Sequence, residues 1–117
     1  MKKLLLVLIS ILLIFTLTAC GGNDEVVRPT LEDAINAFVA AGIEVDPDEK
    51  PFYQELRASD AVMFEIGVHV VRIYEYVDID TLNQAIVDFE FMQDYPVNGL
   101  LVLETTSQQA IEIFESL

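Results

Sequence analysis

The stretch from Ala61 to Val77 constrains this chain more than any other. Two runs rich in β-branched and aromatic residues flank Gly67-Val68, and a Gly-X pair suits the two-residue type II′ turn of a β-hairpin. In that register Ile66 faces His69, Phe64 faces Val71 and Val62 faces Ile73. One face then carries Val62, Phe64, Ile66, Val71 and Ile73, a core side. The other carries Met63, Glu65, Val70, Arg72, Tyr74 and Tyr76. A slip of one residue would exchange the two sets, so the pattern itself supports the register.

Helical spacing frames the hairpin. Pro29-Thr30 opens a first helix, with Thr30 as N-cap and Asp33 as the acidic half of a capping box. Leu31, Ala34, Ile35, Phe38 and Val39 share its apolar face, and Gly42 supplies a left-handed stop. Asp46 to Pro51 is a polar connector, and Phe52 to Arg57 adds a short helical turn. Asp78 or Asp80 caps a second helix with Ile79, Leu82, Ile86 and Phe89 on its apolar side, ended by Tyr95-Pro96. Asn98-Gly99 leads into a third strand, Leu100 to Thr105, apolar on both faces. Thr106 and Gln109 cap a third helix that buries Ala110, Ile111, Phe114 and Leu117.

The expected order is α-β-β-α-β-α. A right-handed crossover sets the third strand parallel to the second, free to pair with the outer edge of the first. The predicted fold is α+β: a small mixed or antiparallel three-stranded sheet with helices on one face, forming a single domain over residues 29–117.

The first residues read as an address. Lys2 and Lys3 precede an apolar run from Leu4 to Leu17 that ends in Leu17-Thr18-Ala19-Cys20. These four residues resemble the lipobox of bacterial lipoproteins, with Leu17, Thr18 and Ala19 as recognition positions. The resemblance implies a diacylglycerol on the Cys20 thiol and removal of residues 1–19 as a signal peptide. Residues 20–28 become a lipidated cysteine and flexible tether. Leu4 to Ala19 is shorter than the ~20 residues a membrane-crossing helix needs. Each buried methylene contributes ~0.8 kcal/mol, and a diacylglycerol supplies the two chains that stable anchoring takes. The expected location is the extracytoplasmic side of a cell membrane, with the membrane itself as a partner through the lipid.

Charge limits the other partners. Without Lys2 and Lys3, four basic residues (Arg28, Lys50, Arg57, Arg72) face 20 acidic ones. No basic stripe exists for nucleic acid. Cys20 is the sole cysteine, so its lipidation leaves no thiol for a disulfide or for catalysis.

Few residues invite chemistry. His69 is the single histidine, and it falls just after the hairpin turn. Zinc or copper sites of nitrogen and sulfur ligands therefore lack a second donor. Ser59, Ser107 and Ser116 have no nucleophile-elbow context, and no glycine-rich phosphate loop is present. Asp46, Asp48 and Glu49 are weak candidates for Ca²⁺, without the glycine and distal glutamate of a calcium loop. The outer hairpin face offers the better binding candidates, Met63, Arg72, Tyr74 and Tyr76, because aromatic, methionine and arginine side chains are enriched at interfaces.

The runs VMFEIGVHVVRIYEY (Val62 to Tyr76) and NGLLVLETTSQQAIEIF (Asn98 to Phe114) resemble small, functionally uncharacterised lipoproteins of low-GC Gram-positive bacteria. That resemblance implies fold and location and assigns no site residue. The expectation is a membrane-anchored, non-enzymatic module that binds an extracytoplasmic protein or small ligand without a cofactor. The alternatives are a Ca²⁺-responsive envelope protein and a hydrolase.

Overall fold

The computed structural model describes residues 27–117. Cys20 and the recognition residues Leu17, Thr18 and Ala19 lie outside them. The elements are α1 (Leu31–Ala40), a 3-10 turn (Gln54–Leu56), β1 (Asp60–Ile66), β2 (His69–Glu75), α2 (Ile79–Asp88), a second 3-10 turn (Glu90–Met92), β3 (Val97–Asn98), β4 (Leu101–Thr105) and α3 (Gln108–Glu115).

The fold is α+β. The hairpin has the register read from its alternation, pairing Ile66 with His69, Phe64 with Val71 and Val62 with Ile73. Gly67 takes φ of 61° at the turn. The first helix also starts as its residues dictate. Asp33 N–H donates to Thr30 Oγ1 at 3.1 Å, and Thr30 N–H donates to Asp33 Oδ2 at 2.9 Å. Gly42 follows with φ of 87°.

The sheet corrects the expected topology. It has four strands rather than three, all antiparallel, in the order β1-β2-β4-β3. Leu101–Thr105 pairs with β2, not with the outer edge of β1. The reason is a second hairpin. Asn98 pairs with Leu101 across a two-residue loop whose Gly99 has φ of 60°, so the chain reverses there. The strand parallel to β2 that a crossover requires is the two-residue β3, and β4 returns antiparallel between them. Pro96 keeps β3 short, since a proline cannot donate to a ladder.

Helices cover both faces of the sheet, not one. On the inner face α1 and α3 bury Leu31, Phe38, Ala110 and Phe114 against Val62, Phe64, Val71, Ile73, Leu101 and Leu103. The Phe38 and Phe64 rings meet edge to face at 4.9 Å, a geometry worth about 0.5–1.5 kcal/mol beyond area burial. On the outer face α2 and the two 3-10 turns bring Leu82, Ala85 and Met92 onto Ala61, Tyr74, Tyr76 and Val102.

Two helix ends also differ from expectation. α2 stops at Asp88, where Phe89 turns extended at φ −111° and ψ 93°, so Tyr95-Pro96 comes well after its end. The N-cap of α3 is Ser107, whose Oγ accepts from Ala110 N–H at 3.2 Å. Thr106 lies one residue too early for that role. Asp78 caps α2, accepting from Thr81 N–H at 2.7 Å.

Gly99 is the tighter of the two hairpin glycines. A Cβ there would meet Arg28 Cβ at 3.2 Å and Pro29 Cδ at 3.3 Å, whereas one at Gly67 would meet nothing within 4 Å. Gly99→Ala is expected to lose about 1–2 kcal/mol for the left-handed backbone and further stability for the displaced Arg28-Pro29 segment. Gly67→Ala is expected to lose the backbone share alone. Urea unfolding of both variants measures the difference.

Candidate functional site

The sheet pairings lay out the outer face in rows. Ala61, Tyr74 and Val102 lie abreast on β1, β2 and β4; the next row toward the Gly67 tip is Met63, Arg72 and Glu104, followed by Glu65 and Val70. Tyr74 is 3 % exposed and Tyr76 1 %. The roof formed by α2 and the 3-10 turns therefore extends as far as Tyr74. From Arg72 to the tip the face is uncovered, and Met63, Val70 and Arg72 are half-buried.

This divides the four residues expected to form one open surface. Met63 and Arg72 are on it. Tyr74 and Tyr76 are core, because their rings fill the space beneath Leu82, Ala85 and Met92. Tyrosine suits that layer because each hydroxyl reaches a partner. Tyr76 donates to the Leu56 carbonyl at 2.8 Å, and burial pushes its pKa up from 10.0 to about 12. Tyr74 donates to Glu104 Oε2 at 2.9 Å. Burial, and then the Glu104 carboxylate, push its pKa well above the usual tyrosine range.

Glu104 is the site residue that the sequence reading missed. Its Oε1 lies 3.3 Å from Arg72 Nη1 while its Oε2 accepts from Tyr74, so the carboxylate is held from two sides. The missing signal was Asn98-Gly99. Read as a hairpin turn, it places β4 beside β2 and puts Glu104 opposite Arg72.

Three depressions meet at Arg72. A groove of about 710 Å³ runs between the connector and β1, lined by Glu44, Asp46, Glu49, Met63 and Glu65. A second, of about 430 Å³, lies toward Tyr95, Glu104 and Thr106. The third, of about 270 Å³, is bounded by Lys50, Phe52 and Met63. Phe52 is 86 % exposed at one rim. Tyr95 stands at the other, its ring 6.1 Å from that of Phe91.

The remaining candidates are dispersed. Asp46 Oδ1 accepts from Asp48 N–H at 3.0 Å, and the Asp46 carbonyl accepts from Glu49 N–H at 3.1 Å. These bonds make the Asp46–Glu49 segment a turn. No group of three His, Cys, Asp or Glu side chains among the described residues is placed to hold a metal ion. His69 Nδ1 is 2.8 Å from Thr106 Oγ1. The serine hydroxyls are elsewhere: Ser59 donates to the Glu75 carbonyl, Ser107 caps α3 and Ser116 donates to the Ile113 carbonyl. Serine, histidine and acid therefore do not converge.

Comparison with protein-family models, with curated proteins and with solved structures returns no match for the chain.

The Tyr76 bond sets a pH window. A folded pKa of about 12 against an ordinary 10.0 favours the neutral hydroxyl in the folded state. Its stabilisation is complete below pH 10 and fades as the pH rises toward 12. Tyr76→Phe is expected to cost about 1 kcal/mol at pH 7 through the lost hydrogen bond. The deficit relative to the native chain should shrink by pH 11. Urea titrations at the two pH values give the comparison.

Proposed function

We propose that this chain is a lipid-tethered module on the outer side of a membrane, contacting a protein or small ligand without catalysing a reaction. The observation that carries this reading is the half-finished roof. Helix and turns seal the outer face from its base to Tyr74 and leave Met63, Val70 and Arg72 at the surface. The uncovered half presents Met63 and Arg72, residue types enriched at protein interfaces.

Two further observations support it. Leu17-Thr18-Ala19-Cys20 fits a lipidation signal. The chain also enters the fold at the end away from the Gly67 tip. Arg28 and Pro29 sit against Gly99, and Leu31 N–H donates to Glu75 Oε2 at 2.7 Å. A tether over residues 20–28 then leaves the uncovered half free to face away from the bilayer.

Two measurements test the reading. Mass spectrometry of the natively expressed chain should find a diacylglyceryl group on Cys20, and Cys20→Ser should abolish it. A photocrosslinking residue at Val70 should give a discrete product in intact cells, while one at exposed Asn83 on α2 should not. An unmodified Cys20, or equal labelling from both positions, overturns the proposal.

A further inference from the structure

We infer that the partner of this module is a basic, extended polypeptide segment that adds to the sheet along the free half of the β1 edge. The inference rests on the interaction reading above and names its partner.

β1 is an outer strand of the sheet. Its edge is used unevenly. Met63 N–H points outward and donates to the Glu49 carbonyl at 2.9 Å, while Lys50 Nζ donates to the Ala61 carbonyl at 3.1 Å. The connector thus occupies the base half of the edge. It then departs, because Asp46 and Glu49 close a turn and Pro47 offers no N–H. Strand groups repeat every two residues, so Glu65 N–H and C=O also point outward. Neither has a hydrogen-bond partner among the described residues. That pair is the complete donor–acceptor set with which one residue of an added strand would bond.

The 710 Å³ groove lies over this free stretch. Val45, Met63 and Val70 give it apolar lining, and the carboxylates of Glu44, Asp46, Glu49 and Glu65 border it. Arg72 is the one cation on the lining, against four carboxylates. Arg72 is paired with Glu104, and Lys50 with Asp60. A segment alternating basic and apolar side chains answers both the carboxylates and the lining. A second copy of this chain would bring an equally acidic edge and be repelled. Residues 21–26 carry Asp24 and Glu25 and no basic residue, so they lack the charge that answers these carboxylates.

The test uses the ¹⁵N-labelled full chain in neutral detergent with acetyl-Lys-Val-Lys-Val-Lys-Val-amide. The comparison probe is the same peptide methylated at every backbone nitrogen, which keeps its charge and removes strand pairing. The first peptide should shift the Glu65 amide resonance, and methylation should weaken binding at least ten-fold. Glu65→Pro removes the edge N–H and should weaken binding to a similar degree. Glu65→Gln keeps the N–H and should cost only a few-fold. Equal binding of the two peptides means charge attraction alone and overturns the inference, as does absence of binding at millimolar peptide. Shifts confined to Val70 and Arg72 overturn it too, while leaving the outer-face reading intact. Loss of the Val70 crosslink with edge pairing retained would instead overturn the earlier reading.

Discussion

Everything in this domain depends on the pairing of β1 with β2. That hairpin supplies apolar or aromatic side chains to two separate cores, one on each side of the same two strands. Val62, Phe64, Val71 and Ile73 face α1 and α3; Ala61, Tyr74 and Tyr76 face α2. A displacement by one residue would bring Glu65 and Arg72 to the inner face and Phe64 to the outer. In a sheet covered on one side such an error spoils one core. Here it would spoil both, and Gly67 at the turn holds the alignment.

The two layers solve burial differently. The inner one is hydrocarbon and aromatic, closed by the Phe38–Phe64 contact and Phe114. The outer one uses tyrosines whose hydroxyls leave the apolar region to reach Leu56 and Glu104. The Tyr76 bond ties the turn at Leu56 to β2, while the Tyr74 bond stays within the sheet. Glu104 marks the row where the buried tyrosines give way to the open face, bonding Tyr74 with one oxygen and Arg72 with the other.

Much of the fold was legible in the residues. Alternation gave the hairpin register, the Thr30–Asp33 box and Gly42 marked helix ends, and the cap of α2 was narrowed to Asp78 or Asp80, because each is a local contact within a few positions. What could not be read depended on distant partners. The apolar character of Leu101 to Leu103 on both faces did signal burial from two sides, yet the Asn98-Gly99 turn was needed to decide which neighbour the strand takes. Whether Tyr74 and Tyr76 lie open or covered was equally undecidable from alternation, since tyrosine suits either setting. Only the return of α2 over β2 settles it, and Met63 and Arg72 remain at the surface because that helix stops at Asp88.

The entry point of the chain has a mechanical consequence. Arg28 and Pro29 sit beside Gly99, and α1 runs from there toward the end of the domain where Glu44 and Gly67 border one groove. A pull between Val27 and anything held near the hairpin tip is therefore directed lengthwise along helix and strands. Sheet hydrogen bonds lie across that direction. They would have to shear together instead of opening one after another, and the first hydrogen bond to the sheet that feels the strain is the Leu31–Glu75 bond at the foot of α1.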